Sequence, residues 1–146
     1  MTILPPPDGA APRPLPPVSA AGQAYWDATR ELRLVIQWCR ACERPIHYPR
    51  DACPRCLGDD LVHRDASGAG TVHALSVMPK PSGAAMAGRE PYVVALVDLD
   101  EGVRMMTGIV GAGALDVRIG DRVRVVWEPL ADGRHLPLFA PDRSGY

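Results

Sequence analysis

The chain has 146 residues, 47% of them apolar, which is enough for one ordinary domain or two very small ones. Its 16 basic and 17 acidic residues leave a net charge of −1, with no basic run to neutralise nucleic-acid phosphates. No apolar stretch is long enough to span a bilayer, and the N-terminus lacks the basic start and apolar segment of a secretory leader, so a cytoplasmic location is expected.

Residues 1–18 hold seven prolines, among them Pro5-Pro6-Pro7 and Pro16-Pro17. Such a segment favours extended polyproline II and carries too few apolar side chains for a core, so a flexible arm is expected there. Ser19 is a suitable N-cap for a helix with Tyr25, Ala28 and Leu32 on one stripe. At Leu32 the period changes to two: Leu32, Leu34, Ile36 and Trp38 alternate with Arg33, Val35 and Gln37, the pattern of a strand.

That strand leads into Cys39-Arg40-Ala41-Cys42, followed after ten intervening residues by Cys53-Pro54-Arg55-Cys56. A two-residue spacer lets a tight knuckle aim both thiolates at one point, and two knuckles complete a tetrahedron about 2.3 Å from a central zinc ion. A strand near Ile46 to Tyr48 would join them. Iron fits the same thiolate geometry, though ligand type favours zinc. Disulfides would need an oxidising compartment, and a thioredoxin-type pair would need a βαβ setting that is missing. Four protein ligands leave no open position, so the metal is structural. His47 and His63 are read as surface residues of this ribbon, which with the helix occupies residues 19–66.

From residue 69 the signals are β. Thr71 to Met78 ends at Pro79, and Tyr92 to Leu99 reads as a strand buried on both faces. Asp100-Glu101-Gly102 turns into Val103 to Val110. Arg122 to Trp127 alternates, and Asp132-Gly133 makes a hairpin into His135 to Phe139, with Pro137 expected at an edge. The fold class is therefore mainly β: an N-terminal helix, a rubredoxin-like zinc ribbon, then a five-stranded OB-type barrel over residues 67–141 and a tail at 142–146.

No cysteine is left over for nucleophilic work, and no serine sits in G-x-S-x-G, so no catalytic residue is assigned. His73 and His135 fall on barrel strands and could meet in space, but a satisfied or solvent-facing histidine is the expected case for each. The rival reading, a nucleic-acid-binding module, meets a chain with a single phenylalanine, Phe139, and only Arg122 and Arg124 on an outward strand face.

The order of parts resembles one family. Tyr25-Trp26 on a leading helix, the two knuckles, Ala66-Ser67-Gly68-Ala69-Gly70-Thr71-Val72, Pro91-Tyr92-Val93-Val94-Ala95-Leu96-Val97, Asp100-Glu101-Gly102-Val103-Arg104 and Arg118-Ile119-Gly120-Asp121-Arg122-Val123 are similar to the zinc-ribbon/OB-fold accessory proteins of thiolase-like enzymes. These form the domain of unknown function thirty-five family. The resemblance covers residues 20–141 and implies a non-catalytic subunit. Its thiolase-like partner would act on acyl-CoA thioesters by condensation, acyl transfer or retro-aldol cleavage, steroid side-chain degradation included. In that setting Zn2+ at Cys39, Cys42, Cys53 and Cys56 is structural, and acyl-CoA is a ligand of the complex. Tyr25 and Trp26 are candidate partner anchors, with Trp38 assigned to the chain's own core. Lys80, Arg89 and the Pro81 to Gly88 loop would line a path for the CoA phosphates.

Overall fold

A computed structural model describes residues 2–143. One helix, α1 (Gln23–Arg30), precedes a three-stranded antiparallel sheet of β1 (Val35–Cys39), β2 (Arg44–Ile46) and β3 (Leu61–Asp65), ordered β2-β1-β3. A closed barrel follows, built from β4 (Ala69–Met78), β5 (Tyr92–Leu99), β6 (Arg104–Ile109), β7 (Arg122–Pro129) and β8 (His135–Pro141) in the order β4-β5-β6-β8-β7. The architecture is the expected one: mainly β, one N-terminal helix, a four-cysteine ribbon and a five-stranded barrel.

Local details differ for physical reasons. The helix starts at Gln23, not at Ser19, whose hydroxyl instead accepts a hydrogen bond from the Gly22 N–H at 3.1 Å in a preceding turn. It stops at Arg30, and Leu32 turns left-handed (φ 58°) to release the chain into β1. The sequence alternation assigns one buried face to β1, yet Leu34, Val35, Ile36 and Gln37 are all buried, because β1 is the central strand. The reverse holds for β5. Val93, Ala95, Val97 and Leu99 are fully buried while Tyr92, Val94 and Leu96 are only partly covered, so one face packs on the core and the other lies near the surface. The strand joining the knuckles is Arg44–Ile46, and β3 is an element that sequence periodicity does not mark.

The barrel closes through short seams. β4 pairs with β5 along most of its length, then with β7 over Ala69–Thr71, and a bulge between Val72 and Ala74 bends it to serve both. Here the glycines of the Ala66–Val72 motif have a steric reason. Gly68 is left-handed (φ 82°), and a Cβ on Gly70 would lie 2.6 Å from Val97 Cγ1 and 2.7 Å from the Asp98 carbonyl oxygen. β7 and β8 pair from Val123↔Pro141 to Pro129↔His135, whereas β8 meets β6, in parallel, only at Ile109↔Phe139. Pro137 thus sits not on an outer edge but beside this narrow seam, its carbonyl accepting from Thr107 Oγ1 at 3.2 Å.

The core is shared between lobes. Trp127, Phe139, Val97 and Val123 fill the barrel, and Tyr25, Ala28, Leu34, Val35 and Ile36 join the same cluster. The ribbon's separate core is only Cys39, Ile46 and Cys53, with Cys42 and Leu61 packed against it.

The proline-rich arm, expected as a floppy leader, lies along the chain's own barrel. β4 leaves the edge of β7 uncovered beyond Arg124, and there Leu4 N–H donates to the Trp127 carbonyl (2.8 Å) while Trp127 N–H donates to Thr2 (2.9 Å). Ala11 N–H donates to the Ala87 carbonyl, and the Arg13 guanidinium reaches the Glu128 carboxylate. The tail from residue 144 lies outside the described residues.

Candidate metal centre and the barrel surface

The four cysteine sulfurs lie within 4.8 Å of one another, at the ends of β1, β2 and the second knuckle. Cys39 Sγ is 3.8 Å from Cys56 Sγ, and Cys42 Sγ is 3.9 Å from Cys53 Sγ. A tetrahedron with zinc–sulfur bonds of about 2.3 Å has sulfur–sulfur edges of about 3.8 Å, so these residues fit the ion in both donor type and spacing. Backbone N–H groups of Cys42, Arg55 and Gly58 point at the sulfurs of Cys39, Cys53 and Cys56, each at 3.4 Å. Such donors stabilise thiolates: the backbone N–H groups of Cys56 and Arg55 pull the Cys53 thiol down to about 6. The residue after each second cysteine, Glu43 (φ 54°) and Leu57 (φ 62°), is left-handed, closing both knuckles the same way. That conformation costs about 1–2 kcal/mol per residue without a glycine, a small sum beside the metal's contribution.

The hairpin between the knuckles is held by Gln37, which sequence reasoning missed. Its side-chain amide donates to the Arg50 carbonyl (2.8 Å) and accepts from the Arg50 N–H (2.9 Å), so an amide buried in β1 behaves as an extra strand rung. His47 is not the surface residue expected. It turns inward, its ring 4.0 Å from Tyr48 and 5.8 Å from Tyr25, and both ring nitrogens are buried without a partner among the described residues. Burial pushes its pKa down to about 4.

A pH dependence follows. Below about 6.5 the unfolded chain protonates His47 while the folded chain does not. Stability is therefore complete above that value and is lost as pH falls towards 4, by up to about 3 kcal/mol. Urea unfolding at neutral and acidic pH should show a smaller acid loss for His47→Phe than for the parent chain. Equal losses would assign the whole effect to protonation of the zinc thiolates.

Of the aromatic pair on α1, Tyr25 belongs to the chain's own core. Tyr25 is buried in the shared core, which raises its phenol pKa strongly, and Trp26 packs edge-on against it at 5.1 Å under the Arg134 guanidinium. Tyr25 is thereby a core residue and offers a partner no anchor, while Trp26 keeps a partly exposed face. The helix is locked to the β7–β8 hairpin by Thr29 and His135. Thr29 Oγ1 accepts from His135 N–H (3.2 Å), and the ring Nδ1 of His135 bonds the Thr29 carbonyl at 2.8 Å. His73 lies elsewhere, beside Asp98 and Arg104, so the two barrel histidines do not meet. Trp38 is half-buried on the ribbon beneath Arg64 (4.2 Å), not in the core between lobes.

Arg104, Arg122 and Arg124 on the barrel strands are each paired with a carboxylate. Arg122 makes two bonds of 2.8 Å to Asp100, and Arg104 holds Asp98 at 2.6 and 3.2 Å. These guanidiniums lower both carboxyl pKa values. Arg124 faces Asp142 at 3.4 Å, so the outward strand face presents ion pairs where phosphate binding would need free cations. Lys80 is exposed in the β4–β5 connection. Arg89, expected on an open path, instead has its side chain only 6% exposed against Glu128, donating to it at 2.8 Å and to the Ala11 carbonyl at 3.1 Å. The arm and the β4–β5 loop close over it, a contact that no local pattern signals.

Two family models match this chain: the rubredoxin-like zinc ribbon domain of ChsH2 over residues 26–62 and the C-terminal OB-fold domain of ChsH2 over residues 63–128. A DUF35 domain-containing scaffold protein of Methanothermobacter thermautotrophicus is 33% identical over 95 residues, 64% of this chain and 71% of that protein. The chain belongs to the DUF35 family. A solved structure described as Ltp2-ChsH2(DUF35) aldolase contains a chain 35% identical to this DUF35 protein, matched over 87% of this chain and 98% of that one with a TM-score of 0.77. A DUF35 protein of Sulfolobus solfataricus shares the fold at 14% identity and a TM-score of 0.60. A probable enoyl-CoA hydratase alpha subunit of Thermomonospora curvata is 37% identical over 129 residues, 88% of this chain. The chain spans about 40% of the length of that subunit. No helix among the described residues is long and apolar enough to cross a membrane.

Proposed function

We propose that this DUF35 chain is a non-catalytic accessory subunit that binds a thiolase-fold enzyme acting on acyl-CoA thioesters and holds it in its active assembly. The observation that carries the reading is the match to 98% of the DUF35 chain in a structure described as an aldolase. Retro-aldol cleavage is accordingly the favoured reaction of the partner, ahead of condensation or acyl transfer. The relatives named as hydratase alpha subunits, for enoyl-CoA and for 3-oxo-4,17-pregnadiene-20-carboxyl-CoA, favour a CoA thioester as substrate of the assembly. The scaffold names of the archaeal relatives favour a structural role.

The chemistry of the chain agrees with this. All four thiols converge on one closed tetrahedral site, which leaves neither a nucleophilic sulfur nor a coordination position for substrate. Zinc here holds the ribbon in shape and takes no part in turnover. The partly exposed face of Trp26 is our candidate for the partner contact, and Lys80 our candidate for the CoA phosphates at the interface; Arg89 no longer serves there.

Affinity capture of the tagged protein from its native host at moderate salt, with partners identified by mass spectrometry, tests the reading. A stoichiometric thiolase-fold protein is expected, together with no acyl-CoA turnover by the purified chain alone. Recovery of nucleic acid or ribosomal proteins without an acyl-CoA enzyme would replace the proposal with the nucleic-acid reading. Turnover by the chain alone would remove the non-catalytic assignment.

A further inference from the structure

The four thiols of the metal centre differ in what covers them. Cys39 is 0% exposed and Cys53 2%, Cys42 is partly covered, and of the four only Cys56 is an exposed residue. The cover over Cys56 is thin for a local reason. Two positions on is Gly58, whose N–H donates to Cys56 Sγ at 3.4 Å and whose missing side chain leaves that side of the sulfur bare. A Cβ on Gly58 would lie 3.3 Å from Cys56 Sγ, with no other atom within 4 Å beyond its chain neighbours. Leu57, between the two, is 78% exposed and shields little.

Susceptibility of cysteine to oxidants follows thiolate character and exposure. Ligation would make all four sulfurs thiolates, so exposure is what singles out Cys56. Four-fold ligation takes these sulfurs out of turnover, yet an exposed thiolate still yields an electron pair to a small oxidant. Cys39 Sγ lies 3.8 Å from Cys56 Sγ. A short movement brings the two to the roughly 2.0 Å of a disulfide bond.

We propose that Cys56 is an oxidant-sensing modification site, at which hydrogen peroxide opens the metal centre. The Cys56 thiolate attacks one peroxide oxygen: a sulfur–oxygen bond forms, the oxygen–oxygen bond breaks and hydroxide leaves. The sulfur is oxidised by two electrons to a sulfenic acid, and the peroxide is reduced. The Cys39 thiolate then attacks the Cys56 sulfur, a disulfide forms and a second hydroxide leaves. Two of the four ligands are thereby consumed, and Cys42 and Cys53 alone are too few to retain the ion. Cys39 and Cys53 are also two of the three residues of the ribbon's core, so the lobe loosens with its metal. The site belongs to this chain alone and does not rest on the accessory reading.

The zinc-loaded full chain tests it. Trypsin cuts after Arg33, Arg40, Arg50, Arg55 and Arg64, so each cysteine falls on a separate peptide. Sub-stoichiometric iodoacetamide is expected to label the Cys56 peptide first. Hydrogen peroxide, with a chromogenic chelator reporting free zinc, is expected to release one zinc for each disulfide formed between the Cys39 and Cys56 peptides. Dithiothreitol with added zinc should reverse the loss. Gly58→Ala, which covers the sulfur, should slow release several-fold at unchanged zinc content; the labelling order on the unmodified chain stands even if that variant does not fold. Labelling led by another cysteine, a disulfide that excludes Cys56, or zinc retained while excess peroxide oxidises the methionines would each overturn the proposal.

Discussion

Cys53→Ala is expected to abolish stoichiometric zinc binding and unfold the ribbon while the barrel keeps its sheet. The ribbon's own core is three buried side chains, of which two are ligands, so apolar burial without the ion is far below what a small lobe needs. Metal binding in comparable sites contributes about 10–16 kcal/mol, more than any other single interaction in the lobe. The barrel has its own ladder, and the cluster around Trp127 and Phe139, though shared with α1 and Leu34 to Ile36, contains no knuckle residue, so its strands do not depend on the knuckles. The checks are zinc content by mass spectrometry of the native protein, and amide spectra in which β1 to β3 collapse while β5 to β8 persist. A variant that keeps one zinc with three thiolates, or a barrel that melts with the ribbon, would contradict this division. Chelation of the wild-type protein should reproduce the variant's spectrum.

Glu128→Gln should cost about 3–5 kcal/mol, the penalty for removing one member of a buried ion pair. Glu128 is 4% exposed and receives Arg13 on one oxygen and Arg89 on the other. Glutamine preserves the shape but turns an NH2 group towards one guanidinium, so a donor faces a donor and two positive charges lose the counter-ion they share. Urea unfolding reads the loss directly. Arg13→Ala should cost much less, because Arg13 keeps 18% exposure and its removal leaves the Arg89–Glu128 pair intact. A change under about 1 kcal/mol in Glu128→Gln would mean that the arm does not close over Arg89 in solution. The same pair of variants therefore reports on how the arm and the β4–β5 loop close over the barrel.

The zinc site was legible because its determinants are local. Knuckle geometry needs only two spaced cysteines and the backbone between them, and ten residues separate the two pairs. The strands from β4 to β8 were legible where alternation or a turn is written into a few consecutive residues, as at Asp132-Gly133. β3 was not, since Leu-Val-His-Arg-Asp has a weak pattern and becomes a strand by pairing with β1 from Val35↔Asp65 to Cys39↔Leu61. His47 and Tyr25 were misjudged for a related reason. Each sits in a segment of mixed polarity, and only the packing of helix against ribbon turns both rings inward.

The sequence by itself determined the metal-binding site, the fold class and the family, because ligand spacing, strand period and the order of motifs are all short-range properties. The tertiary structure decided which residues are spent on the fold and which remain available. Tyr25 went to the core, Arg122 to Asp100, and Arg89 to Glu128 across a separation of 39 residues. Arg13 reached the same carboxylate from 115 residues away. Pairing over such distances follows from how the arm, loop and barrel close together, and a charge or an aromatic ring carries no mark in the sequence of the neighbour it will meet.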